Sequence, residues 1–277
     1  MRYQVVFGRA PTKGRWWAVT EFAMRDGLKV AYETAGAGEP PIVFVHGWSC
    51  DRSFFAPQVE HFARRHAVVT TDLRGHGDSD QPDPTDDVYR IDDFVGDVLA
   101  VATAAGFDRP VVVGHSLGGV IAAACAARPG AVRAAVMVDP APMVGDRVAF
   151  MGAAADACAT DENGAIRRAF VEGMFLSTDR VRRDEIVECM SSRPAGIGAA
   201  ALRSLATFDA AAALSGCEVP LLCIGSASPS NEPSALRALC AHIVIGQTVG
   251  SGHFNQLEVP DQVNLMIERF LAVSVLD

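Results

Sequence analysis

The stretch VVVGHSLGGVIAAACA, residues 111–126, carries the side chain with the clearest chemical potential, a serine set between glycines in Gly114-His115-Ser116-Leu117-Gly118. A β-branched run leads into it and an alanine-rich run leads out, so the serine falls where a strand becomes a helix. A turn that tight excludes neighbouring Cβ atoms and holds the serine strained, with its hydroxyl raised above the sheet edge. Given an adjacent imidazole to take its proton, such a hydroxyl becomes a nucleophile near neutral pH. The competing reading is a chance Gly-x-Ser-x-Gly in a loop.

A serine held this way needs strands and helices in alternation, and from Met24 onward the chain supplies them. Residues 28–36 alternate apolar and polar side chains, and 40–48 and 66–75 are short β-branched runs that each end in a glycine turn. Further strand patterns recur at 110–114, 132–138, 219–225 and 243–249. Between them, residues 90–106 put Ile91, Phe94, Val95, Val98 and Val101 on one helical face, and the closing helix stacks Val263, Met266, Ile267 and Phe270. Unalternating strands separated by amphipathic helices predict an α/β fold with a mostly parallel sheet covered on both faces. The pattern breaks at 143–214, which is helical, rich in Ala, Arg and Met, and without a strand signal. It reads as a helical cap over the sheet edge, dividing the core into 24–142 and 215–277. Residues 1–23 are an extension of unknown role. They read as an edge-strand or disordered segment, or as the product of a start codon upstream of a native start at Met24.

Composition narrows the function classes. The 277 residues are 49% hydrophobic and 21% charged, which describes a globular chain near the upper size for one core. A net charge of −9 without any long basic run argues against a nucleic-acid partner. No apolar stretch approaches the ~20 residues of a membrane helix, so no membrane partner is expected. Seven cysteines without a Cys-x-x-Cys pair read as reduced, mostly buried thiols in a cytoplasmic protein. The seven histidines hold no His-x-x-x-His or His-Glu-x-x-His pair, so neither a metal nor a cofactor is expected. The partner implied is a small-molecule substrate, and homo-oligomerisation is left open.

Three further stretches sit at predicted strand ends. FVHGW places the backbone N–H of Trp48 where it can join that of Leu117 in facing an oxyanion. DLRGHGDSD, residues 72–80, ends the next strand, and VGSGHFNQLEVP puts His253 after the last strand, just before the final helix. Together these motifs resemble the α/β-hydrolase superfamily, from Met24 to the C-terminus. The resemblance implies an eight-stranded sheet with the cap inserted after the sixth strand, Ser116 as nucleophile and His253 as base. It also assigns His46 and His76 to structural turns and points His115 away from Ser116.

The acid departs from the usual pattern. Most relatives carry an aspartate in a turn after the strand at 219–225, where this chain reads GSASP and Ser228 stands in its place. Asp139 ends the strand that follows the nucleophile's, and the order Ser116, Asp139, His253 is the one this fold requires. Haloalkane dehalogenases and zearalenone-type lactonases take their acid from this position. Glu232 is the alternative.

The function so implied is a serine hydrolase of carboxylic esters or lactones with a small, largely apolar substrate. A serine at position 116 argues against haloalkane dehalogenase and epoxide hydrolase, which need a carboxylate there. A carbon–carbon bond hydrolase, a cofactor-independent dioxygenase or a ligand-binding receptor on the same scaffold stay open. Trp48, whose backbone belongs to the oxyanion turn, and Met143, Phe150, Met174 and Phe175 are the candidate substrate-binding residues. The last four share an apolar helical spacing with Met151 and Phe170, for which packing within the cap is the competing reading. Arg167, Arg168, Arg182 and Arg183 read as solvated.

Overall fold

The computed structural model describes residues 19–275, apart from 86 and 146. Most of the extension at 1–23 lies outside the described residues. The sheet nevertheless starts ahead of Met24: strand β1 (Glu21–Arg25) pairs antiparallel with β2 (Leu28–Ala35) across Asp26-Gly27. Both turn residues have positive φ, 52° and 82°, as a two-residue Asp-Gly hairpin demands. That dipeptide was the available signal for the extra strand.

The core continues through β3 (Ile42–Val45), α1 (Ala56–Phe62), β4 (Val68–Thr71), α2 (Ile91–Ala104), β5 (Val111–His115), α3 (Leu117–Ala126) and β6 (Ala134–Val138). Five helices follow: α4 (Arg147–Ala159), α5 (Ala165–Glu172), α6 (Arg183–Ser191), α7 (Ala195–Thr207) and α8 (Ala210–Ser215). The sheet then resumes with β7 (Leu221–Gly225), α9 (Pro233–Leu239), β8 (Val244–Gln247), α10 (Asn255–Glu258) and α11 (Pro260–Ser274).

These strands form one eight-stranded sheet in the order β1-β2-β4-β3-β5-β6-β7-β8. β2 runs antiparallel to both its neighbours and the remaining pairs are parallel. The central strands are buried along their whole length because each face has its own apolar layer. Ile42, Phe44, Val111, Val113 and Val136 pack with Val59 and Phe62 of α1 and with Val263, Ile267 and Phe270 of α11. Val43, Val45, Val112 and Met137, one residue out of phase, point to the other face, which holds α2 and α3.

The insertion packs in pairs, α4 against α7 and α5 against α6, whereas α8 lies against α3 and α9 beside the sheet. At the centre, Val45 pairs with Gly114 and His115 with Val138. The chain leaving β3, β5 and β6 therefore emerges side by side at one edge, and that edge carries Trp48, Ser116 and Asp139.

Candidate active site

Ser116 sits at φ 55°, ψ −116° between β5 and α3, a conformation that costs a non-glycine residue about 1–3 kcal/mol. Its surroundings enforce it. A Cβ on Gly114 would lie 1.8 Å from the Gly118 carbonyl oxygen, and one on Gly118 would lie 2.1 Å from that of Val45. Only glycine at both positions lets the helix start so close to the strands. The Ser116 carbonyl accepts from the N–H groups of Gly119 (2.9 Å) and Val120 (3.2 Å), which locks the turn onto the helix. The side chain is half-buried and lines a cavity beneath the cap.

His253 lines the same cavity from the loop between β8 and α10. Its Nδ1 lies 2.7 Å from Asp139 Oδ2. The other oxygen of that carboxylate accepts the Ser226 N–H at 2.9 Å. Asp139 is 2% exposed and turns through φ 37° at the end of β6. With Nδ1 donating to the carboxylate, Nε2 is left unprotonated and free to take a proton. Among the described residues Ser116 Oγ makes no hydrogen bond; catalytic hydrogen bonds are often long in unliganded enzymes. Glu232 is the exposed residue preceding α9 and makes no hydrogen bond or ion pair with His253.

The neighbouring histidines explain how the loops are held. His46 Nε2 accepts the Leu73 N–H at 3.0 Å, so its Nδ1–H donates to the Gly47 carbonyl at 2.8 Å. With that carbonyl turned to His46, the N–H of the same planar peptide, on Trp48, points the opposite way. Neither the Trp48 nor the Leu117 N–H is paired among the described residues. His76 Nε2 accepts the Ser49 N–H at 3.1 Å and its Nδ1–H donates to Arg74 O, fixing the next residue of the same loop. Burial pushes His46 down to about 4 and His76 to about 3, so both rings stay neutral. His115 donates from Nε2 to the His253 carbonyl at 2.9 Å, and burial holds it well below the usual imidazole range.

A sequence model of the alpha/beta hydrolase family matches residues 42–264. The chain belongs to this family. Among curated relatives, the chain is 37% identical to a non-heme chloroperoxidase of Streptomyces lividans over 123 residues, 43% of this chain and 44% of that one. It spans less than half the length of the curated relatives it matches. Among solved structures, it superposes on an enol-lactonase from Burkholderia xenovorans LB400 with a TM-score of 0.81 at 23% identity, covering 91% of this chain and 100% of that one. A thermophilic esterase from Thermogutta terrifontis gives 0.76 at 23%, covering 92% and 97%. At such identities the structural likeness concerns the fold.

The cavity that holds Ser116 and His253 has a volume of about 650 Å³. Trp48, Phe150, Met174 and Phe175 line it, joined by Met151, Phe170, Leu202 and Leu205. Met143 does not: it is 4% exposed within the core, and its N–H donates to Asn231 Oδ1 at 2.7 Å. It lies on the approach to the cap, before α4 begins, so the helical spacing that grouped it with the others does not reach it. Arg167 is not solvated either, being buried and ion-paired with Asp161 at 3.0 Å. Among the described residues no lysine or arginine lines the cavity, and Ser226, Ser228 and Ser230 belong to its polar lining. A second hollow, of about 750 Å³, surrounds Arg52 and its partners Glu33, Asp72 and Asp78, and contains neither Ser116 nor His253.

Among the described residues, no group of His, Cys, Asp or Glu is arranged to hold a metal, and no helix is long and apolar enough to cross a membrane. Two site features carried no sequence signal of their own. Ser226 acts through its backbone, and Asp179 lies deep in the cap as one acidic residue among many.

Proposed function

We propose that this hydrolase cleaves a carboxylic ester or lactone of a small, uncharged, largely apolar substrate through an acyl-enzyme on Ser116. The observation that carries the reading is the joint exposure, in one apolar cavity, of a strained strand-to-helix serine and of an imidazole bonded to a buried carboxylate.

In this reading Ser116 Oγ attacks the carbonyl carbon while His253 Nε2 takes the hydroxyl proton. The developing oxyanion is received by the N–H groups of Trp48 and Leu117. The imidazolium, stabilised by Asp139, gives its proton to the leaving oxygen, and the acyl-enzyme forms. Water then repeats the sequence, with His253 as base, to release the acid. The aromatic and thioether wall suits an apolar acyl group. A substrate carboxylate would find no cationic partner among the described lining residues, and burying it unpaired is costly. The fold-level likeness to an enol-lactonase and an esterase is consistent with this chemistry.

Labelling with a fluorophosphonate, followed by mass mapping, tests the reading. Stoichiometric modification of Ser116 is expected, together with turnover of p-nitrophenyl esters or lactones. Ser116→Ala should lose on the order of 10⁴-fold or more in that turnover while keeping the fold. Retention of most activity would assign the chemistry to another group.

A further inference from the structure

Asp179 is a buried carboxylate, 1% exposed, in the cap turn between α5 and α6. Taking a carboxylate out of water is costly unless its oxygens are satisfied, and here backbone N–H groups from two separate segments do so. Oδ2 accepts the Leu176 N–H at 2.7 Å. The Gly252 N–H, on the far side, lies 3.2 Å from Oδ1 and 3.1 Å from Oδ2. Leu176 belongs to the cap wall of the cavity, and Gly252 immediately precedes His253.

The two segments are joined at two further points. The His253 N–H donates to the Met174 carbonyl at 3.1 Å. The Phe175 ring packs on that of Phe254 with centroids 4.9 Å apart. The approach requires glycine at 252, because a Cβ there would lie 2.4 Å from Asp179 Oδ2 and 2.8 Å from the Met174 carbonyl oxygen.

We infer that Asp179 is a positioning residue for the base: it clamps the cavity-lining cap segment to the His253 loop, so that the acyl wall and the imidazole are placed as one body. The inference rests on the reading of His253 as the base of a serine hydrolase. It assigns Asp179 an effect on the chemical step, transmitted through Gly252 and Met174. A cap residue that only shapes the cavity changes substrate affinity; one that also fixes the imidazole changes the rate at which Ser116 is activated. A displacement of about 1 Å at a reacting group can cost about 10²-fold.

The test compares wild type, Asp179→Asn and Phe170→Ala by p-nitrophenyl butyrate kinetics and by the rate of fluorophosphonate labelling at Ser116, with folding checked by circular dichroism. Asp179→Asn keeps the shape but returns only one acceptor oxygen. It is expected to lower kcat and the labelling rate by about 10- to 100-fold with KM within about threefold. Phe170→Ala, in the cap wall but outside the clamp, should act mainly on KM. Wild type labelled at Ser116, with Asp179→Asn labelled at the same rate, overturns the clamp alone. Failure to label wild type at Ser116 overturns the hydrolase reading and with it the assignment of a base to be positioned. Should Asp179→Asn not fold, hydrogen exchange on wild type decides. The segments around 174–176 and 252–254 should gain protection together when Ser116 is phosphonylated, and a gain confined to one of them contradicts a single body.

Discussion

Asp139 offers one carboxylate oxygen to His253 at 2.7 Å and the other to the Ser226 N–H at 2.9 Å. Both oxygens are committed, so the carboxylate is held against Nδ1 and favours the tautomer that leaves Nε2 free. Asp139→Asn keeps the size but presents an amide where Nδ1–H needs an acceptor. Turnover should fall by about 10²–10⁴-fold with the fold unchanged, whereas Glu232→Gln, at an exposed residue not hydrogen-bonded to His253, should stay near wild type. Ser228 lines the same cavity, and its N–H donates to Ser226 Oγ at 3.3 Å. Ser228→Asp in the Asp139→Asn background should therefore recover part of the activity by supplying a carboxylate from the neighbouring loop. Kinetics on the three variants check this, and an Asp139→Asn enzyme of wild-type activity would remove Asp139 from the mechanism.

At the scale of elements, the turn from β5 to α3 depends on how closely the helix start approaches the strands. Gly114 and Gly118 leave no room for a methyl group, and the nearest atoms are backbone, which cannot step aside. Gly152, in the cap helix α4, has among the described residues only the Ala206 methyl within 4 Å, at 3.8 Å. Gly114→Ala should therefore cost more than about 3 kcal/mol, or prevent folding, as overpacking against rigid neighbours does. Gly152→Ala should stabilise by up to about 1 kcal/mol, because alanine has less backbone entropy to lose. Urea unfolding midpoints measure both, and equal midpoints would mean that the turn tolerates a Cβ. The cap is tied to the core at Trp48 as well, whose indole N–H donates to the Gly198 carbonyl at 2.8 Å.

Over the whole molecule, three buried rings set the response to acid. Burial lowers His46 to about 4, His76 to about 3, and His115 well below its ordinary value. The folded protein keeps these rings neutral, while the unfolded chain takes up protons near pH 6.5. Stability is thus fully present above that pH and is lost as the pH falls toward the folded values. His46 and His76 each contribute a loss of about 2 kcal/mol between pH 7 and pH 5, and His115 acts in the same direction. Urea titrations at pH 7, 6 and 5 should show this decline, and a flat profile would contradict neutral, buried rings. The same rings hold the Trp48 loop and the His253 carbonyl, so acid sensitivity is built into the frame of the site.

What the sequence by itself determined is whatever depends on short stretches of chain. Period-two and period-3.6 runs specify which segments are strands and helices, and Gly-x-Ser-x-Gly between such runs specifies a strained serine, because backbone sterics act over a few residues. The alternation of elements then restricts the sheet to a few topologies, which is why the α/β fold, the insertion after β6 and the strand-end position of Asp139 were legible. Tertiary structure decided which of two acids meets His253, residues 114 apart in the chain from Asp139. It also decided that Arg167 is buried against Asp161, that Met143 faces the core, and that Asp179 reaches Gly252 across 73 positions. None of these has a local pattern: a lone charged residue reads the same whether it is solvated or satisfied by distant backbone, until packing brings its partners within hydrogen-bonding distance.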